Sequence, residues 1–250
     1  MSGAQQGRGA DGLQRPLVPR SRFQPQLTPG VGRIMQSKIT ALARVALASL
    51  CLSACDREWR SPFRLDAFRI GSEGMAPTLL PGDAFLVDQL AYKRSNPQGG
   101  DVVIFRARVV GKGIAPLDRS ADGREDQFVM RILGVPGDVV EFRSGVPLIA
   151  GSAAETEALG ERWKGADGVE RLIFREELGT RRHLIARMPS DGRDFPPMAV
   201  EPGRYFVVGD NRDNSLDSRY WGTIRADDII GKAGRIYFSS DLSRLGLAIE

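Results

Sequence analysis

The chain has 250 residues, 35 Lys+Arg against 31 Asp+Glu, one His and two Cys. At 42% apolar and 26% charged it is long enough and apolar enough to bury a real core, which excludes disorder throughout. The net charge of +4 does not mark a nucleic-acid surface: residues 1–33 hold five Arg and one Asp, residues 34–55 add Lys38 and Arg44, and the chain after Cys55 has 28 basic against 30 acidic residues.

Residues 1–33 are rich in Gly, Gln, Pro and Arg and lack an apolar period, so a disordered tail is expected, with Met35 as the candidate true start. Met35–Arg44 is a basic lead, and Val45–Cys55 is an uncharged apolar run of 11 residues. A spanning helix needs about 20 apolar residues, whereas 10–14 suits the core of a signal peptide. Extending the run back to Ile39 would bury Arg44. The run ends Leu52-Ser-Ala-Cys55, which resembles a bacterial lipoprotein box with Cys55 as the lipidated residue. Residues 34–55 are therefore read as a lipoprotein-type signal or membrane anchor. The alternatives are an uncleaved anchor with an incidental Cys and a buried core helix. Both cysteines, Cys51 and Cys55, lie here, so residues 56–250 offer neither a Cys nucleophile nor a Cys-based zinc site.

From Phe63 onward short β-branched and aromatic runs alternate with Gly-containing turns. Strands are predicted at 84–88, 101–106, 129–135, 139–142, 204–208 and 229–238, with Pro136-Gly-Asp138 as a turn. Helical periodicity is weak, confined to residues 84–93 and 153–163. Residues 143–200 are richer in charge and Gly, with strands expected at 171–174 and 183–186, and Asp194-Phe-Pro-Pro-Met198 leads the chain back. The expected class is mainly β: a β-rich core, 56–142 with 201–250, and a smaller inserted lobe, 143–200. No phosphate loop, metal-ligating cluster or internal repeat stands out, and no cofactor is called for.

Four segments carry a resemblance: Gly74-Met-Ala-Pro-Thr-Leu-Leu-Pro-Gly-Asp83, Gly100-Asp-Val-Val-Ile-Phe105, Arg131-Ile-Leu-Gly-Val-Pro-Gly-Asp138, and Gly209-Asp-Asn-Arg-Asp-Asn-Ser-Leu-Asp-Ser-Arg-Tyr-Trp-Gly222. A single Met-x-Pro-Thr or Pro-Gly-Asp would be a turn word of little weight, but the last segment is long and highly specific, and all four in this order resemble bacterial signal peptidase I over about residues 63–240. The resemblance implies a β-rich catalytic core with a smaller inserted domain. It places that core on the outer, periplasmic face of the cytoplasmic membrane, with signal peptides of secretory precursors as partners. It also implies a Ser nucleophile and a Lys base that is held neutral by an apolar environment.

At the two dyad positions this chain has Gly74 and Met130. Glycine has no side chain with which to attack, and methionine has no basic nitrogen. Met130 is nearly the size of Lys and fills its slot without an unpaired buried charge. Ser72 matches an oxyanion-hole donor. Along an extended chain it stands about 6.6 Å from position 74, beyond the roughly 3 Å that proton transfer needs. Ser215 matches a residue that orients the Lys, and Asp217 and Arg219 match an ion pair that braces the site. The simpler reading of that loop is an Asx-rich turn. None of Lys93, Lys112, Lys164 and Lys232 adjoins a motif, and His183 falls in the inserted lobe, where a satisfied structural role is expected. Three functions remain: a non-hydrolytic binder of signal-peptide-like segments or regulatory partner of an active protease, an active peptidase using Ser72, and a purely structural subunit.

Overall fold

The structure, a computed structural model, describes residues 34–36, 65–110, 113–115, 124–189 and 192–250, and of residues 34–36, 110 and 113–115 the backbone alone. In the first half of the chain the strands are β1 (Ile34–Gln36), β2 (Leu65–Ile70), β3 (Ala84–Asp88), β4 (Val102–Val110), β5 (Gly113–Ala115), β6 (Arg124–Gly134), β7 (Val139–Arg143) and β8 (Val146–Ile149). The second half adds β9 (Ser152–Ala153), β10 (Glu155–Lys164), β11 (Glu170–Leu178), β12 (Arg181–Arg187), β13 (Phe195–Ala199), β14 (Arg204–Val208), β15 (Ile224–Arg225) and β16 (Ile229–Phe238). The α-helices among the described residues are single turns, α1 (Ala91–Arg94) and α2 (Ser218–Trp221). None of them is long and apolar enough to cross a membrane.

The mainly β class read from the sequence is the fold observed. The main sheet runs β1-β2-β3-β16-β4-β6-β14-β15, with β5 on β4, and its pairings are antiparallel. Alternation of side chains along β6 splits its residues between two apolar clusters. Val129 packs with Phe68, Ile70, Met75 and Leu79, whereas Phe128, Met130 and Ile132 pack with Val103, Phe105, Tyr205 and Val207. β1, at one end of the sheet order, also lies against β6 near the other end. The sheet therefore curls toward closure around the first cluster, as strongly twisted sheets do.

Two smaller sheets follow from residues 139–199. One is β13-β7-β8-β9 and the other β10-β11-β12. β7 pairs with β8 and β13 and not with the main sheet, while Val140 and Phe142 pack on Leu133, Phe206 and Val208. The weak helical period at 153–163 is overridden: Glu155–Lys164 is a strand, mostly exposed, held by pairing to β11. The period at 84–93 likewise resolves into β3 followed by the single turn α1. Ile34–Gln36, the first residues of the predicted leader, form a strand on β2, while the tail, the apolar run and Cys55 lie outside the described residues.

Candidate functional site

The segment Ser72–Asp83 leaves β2 as a compact turn. Its backbone is closed by Ala76 N–H to Glu73 O at 3.0 Å and Leu79 N–H to Met75 O at 2.9 Å. Met75 and Leu79 point into the core, which fixes the turn from below. Gly74 is buried, and its carbonyl accepts the Asn211 N–H at 3.1 Å, while Asn211 Nδ2 donates to Glu73 O at 3.1 Å. The loop after β14 is thus stitched to the turn on either side of the Glu73–Gly74 peptide.

Gly209 is the hub of this contact. A Cβ built on it would stand 2.4 Å from both Gly74 O and Ser215 Oγ, so these two atoms flank the same small space. β14 pairs antiparallel with β6 through Val207↔Ile132 and Val208↔Arg131, so Gly209 follows directly on the last residue paired to β6, next to Arg131 rather than within the ladder. Gly74 and Ser215, far apart in sequence, are both neighbours of one glycine. Met130 is 1% exposed, among Val103, Phe105, Phe128, Ile132, Tyr205 and Val207. Its slot is lined on that side by hydrophobic side chains, with Tyr205 the one that carries a hydroxyl.

Ser72 and Ser215 are both buried, and neither hydroxyl has a hydrogen-bond partner among the described residues; the same holds for Asn211 Oδ1. Three orphan polar atoms thus lie in the turn and loop that meet at Gly74. Unpartnered buried groups are uncommon and each is costly, so a polar occupant such as a peptide backbone suits them.

Asp217 and Arg219 are brought together by α2. Asp217 caps that helix, accepts from the Gly209 N–H at 3.1 Å, and takes both Arg219 Nε and Nη2 at 2.8 Å. The Arg219 guanidinium also donates to Arg212 O at 2.6 Å and lies over the Phe142 and Phe195 rings. Burial opposes its charge, but the Asp217 carboxylate outweighs this and raises its pKa. The pair fixes the Gly209 amide and hence the hub.

Sequence reasoning missed a second layer of charge beneath the site. Arg131 Nη2 meets Asp210 Oδ2 at 2.7 Å with both side chains at 0% exposure, and Thr78 Oγ1 donates to the same carboxylate at 2.5 Å. Glu176 on β11 is held by Arg212, and His183 Nε2 lies 3.1 Å from Glu176 Oε2. Burial alone would raise the Glu176 carboxyl, but Arg212 and His183 hold it down at about 2. Burial, followed by the charge of Arg131, lowers the His183 pKa, so its imidazole is neutral near pH 7. β12 itself joins the loop through Ala186 N–H to Asp210 O at 2.9 Å. The one visible signal was Arg131, a lone cation inside the apolar run Phe128–Leu133.

A further contact reaches Gly74 from the three-stranded sheet. Glu73 Oε1 accepts the Ala166 N–H at 2.7 Å, so the β10–β11 turn rests on the residue preceding Gly74. Arg171, 2% exposed, shapes that turn by pairing with Asp167 at 2.6 Å.

Of the lysines, Lys232 is tied to Asp101 at 2.7 Å, Lys93 and Lys164 are exposed, and Lys112 lies outside the described residues. Among the described residues no group of three or more His, Cys, Asp and Glu could hold a metal ion.

The family model described as "Signal peptidase, peptidase S26" matches residues 47–238. Signal peptidase I of Pseudomonas fluorescens is 33% identical over 202 residues, covering 71% of this chain and 66% of that protein. The chain thus spans just under two thirds of this relative. Signal peptidase I of Aquifex aeolicus is 31% identical over 246 residues, covering 84% of this chain and 87% of its own. A solved signal peptidase I from Enterococcus faecalis is 27% identical, covers 54% of this chain and 95% of its own, and has a TM-score of 0.31.

Proposed function

The chain belongs to the signal peptidase, peptidase S26, family, and on that premise we propose that it is a member that holds signal-peptide-like segments without cutting them. It works at the outer face of the cytoplasmic membrane, anchored through residues 34–55, and serves there as a binder or as a regulatory partner of an active protease. What supports this reading is that glycine and methionine, Gly74 and Met130, stand at the two positions where the family resemblance expects the Ser and the Lys. The position expected to attack has no side chain, and the position expected to take the proton is a thioether buried among Phe105, Phe128 and Val207. Loss of either member of a nucleophile–base pair costs several powers of ten in rate. The supports are the parts that remain: Ser72 and Ser215 with free hydroxyls, and Asp217–Arg219 bracing Gly209.

The active-enzyme alternative needs Ser72 as nucleophile with a base beside it. Ser72 Oγ has no hydrogen-bond partner among the described residues, and the Lys232 ammonium is engaged by Asp101. The test is incubation of the purified chain with a secretory precursor carrying a cleavable signal peptide. The precursor is expected to co-purify with the chain and to stay intact. Cleavage that disappears in Ser72→Ala overturns the reading in favour of the enzyme, and failure to retain the precursor favours a purely structural subunit.

A further inference from the structure

The stitch between the Gly74 turn and the loop after β14 is spanned by the three-stranded sheet. At one end of that sheet the β10–β11 turn donates the Ala166 N–H to Glu73 Oε1 at 2.7 Å. At the other, Glu176 of β11 holds Arg212 of the loop, and the Ala186 N–H of β12 donates to Asp210 O at 2.9 Å. These ties fall on both partners of the stitch. Glu73 adjoins Gly74, and Asp210 and Arg212 flank Asn211, which bonds Gly74 O and Glu73 O at 3.1 Å each.

The hairpin tip is a self-closed unit. Gly168 N–H donates to Gly165 O at 3.0 Å and Gly165 N–H to Val169 O at 3.2 Å. Asp167 accepts the Val169 N–H at 3.0 Å and pairs with Arg171 at 2.6 Å. A Cβ built on Gly165 would stand 2.8 Å from Glu73 Oε2 and 2.9 Å from Arg171 Nη1, so the second carboxylate oxygen also lies against the tip, close to a buried cation. A backbone N–H given to a carboxylate makes a charge-assisted bond, stronger than a neutral one. Glu73 is thereby engaged at both oxygens by one rigid turn.

We propose that the β10–β11 hairpin is a strap latched on Glu73, and that Glu73 is a positioning residue acting through Gly74. While the latch is shut, the Glu73–Gly74 peptide is held against Asn211 in the shape that receives an extended ligand. With the latch open, the turn keeps only its bonds to the loop and loosens. A ligand held at the turn and the Ala166–Glu73 bond then favour each other, because two events that stabilise one conformation are coupled in both directions. The coupling to a ligand rests on the peptide-holding function proposed above, whereas the latch itself does not.

Amide hydrogen exchange on the full-length chain tests this. In Glu73→Ala, Ala166 should exchange about tenfold faster than in the wild type, and Asn211, whose N–H is bonded to Gly74 O, about threefold faster or more. Gly168, bonded within the tip, should be unchanged, which separates opening of the latch from loss of the hairpin. Glu73→Gln retains an acceptor oxygen and should keep Asn211 protected. Ala166→Pro removes the donor from the other side, at the second position of a four-residue turn that suits proline, and should speed Asn211 to the same extent. The two changes together should act no more than either alone, since both break one bond. Asn211 unchanged when Ala166 is released overturns the proposal, as does a combined effect equal to the product of the two, or Gly168 speeding together with Asn211 in both variants. A labelled synthetic signal peptide ending in Ala-x-Ala should bind Glu73→Ala about fivefold more weakly than the wild type, and should slow Ala166 exchange in the wild type. Equal affinity for both forms overturns the coupling. If Asn211 responds as expected but the peptide does not bind the wild type, the latch stands and the peptide-holding function falls.

Discussion

Arg131 and Asp210 form a bidentate ion pair with no exposure on either side chain, Nε at 2.8 Å and Nη2 at 2.7 Å from the two carboxylate oxygens. The pair ties the middle of β6 to the loop that follows β14, and Arg131 Nη1 also donates to Gly100 O at 2.8 Å. Burial would raise the Asp210 carboxyl, but Arg131 and its hydrogen bonds outweigh this and hold it below the usual carboxylate range. Arg131→Met is expected to lower stability by about 3–5 kcal/mol, since it strands a buried anion. The double change Arg131→Met with Asp210→Asn should recover part of that loss. Urea unfolding of the three proteins measures both.

Gly209 has no room for a side chain. A Cβ there would stand 2.4 Å from the Gly74 carbonyl, a backbone atom that cannot swing aside, and 2.6 Å from Ser215 Cβ. Gly209→Ala should destabilise the protein by about 1–3 kcal/mol through overpacking. It should also break the Asn211 N–H to Gly74 O bond, visible as faster amide exchange at Asn211. Unchanged exchange there would show that the loop yields elsewhere.

The pattern of strands was legible because their apolar and β-branched runs carry the period of a sheet, as Arg204–Val208 and Ile229–Phe238 show. Glu155–Lys164 was misread because it is mostly exposed and its pairing with β11, not its own pattern, makes it a strand. The framework of the site was legible in the Gly209–Gly222 segment, where Asp217 and Arg219 stand two residues apart and close on each other. The contacts of Glu73 with Ala166, and of Glu176 with Arg212 and His183, were not, because they join segments 93, 36 and 7 positions apart with no shared local period. Such partners are chosen by the tertiary arrangement alone.

The Glu176–His183 pair should set the acid limit of stability. The folded-state pKa of His183 is lowered from 6.5, so its contribution is fully present above pH 6.5 and is lost as the pH falls through the lowered value. Glu176 is lowered from 4.5 to about 2, so its contribution is fully present above pH 4.5 and is lost between pH 4.5 and about 2. The midpoint of urea unfolding should therefore decline below pH 6.5 and more steeply below pH 4.5. His183→Gln should flatten the first decline and leave only that part of the second which Arg212 sustains. An unchanged profile in His183→Gln would mean that the first decline has another source.

Met130→Lys isolates what the apolar slot does to a base. The ammonium would be placed among Val103, Phe105, Phe128, Ile132 and Val207, with Met130 itself only 1% exposed. Desolvation disfavours the charged form, so the lysine pKa should fall by several units, each worth about 1.4 kcal/mol between the two protonation states. A lowered folded-state pKa means that the folded protein binds fewer protons than the unfolded chain. The stability penalty should hence be largest below the lowered pKa and should shrink as the pH rises toward about 10.4, the ordinary lysine value. Urea unfolding of Met130→Lys against wild type between pH 6 and pH 10 tests this. A penalty that does not change with pH would mean that the ammonium escapes the slot, and adding Gly74→Ser would then have no neutral amine at hand to activate the new hydroxyl.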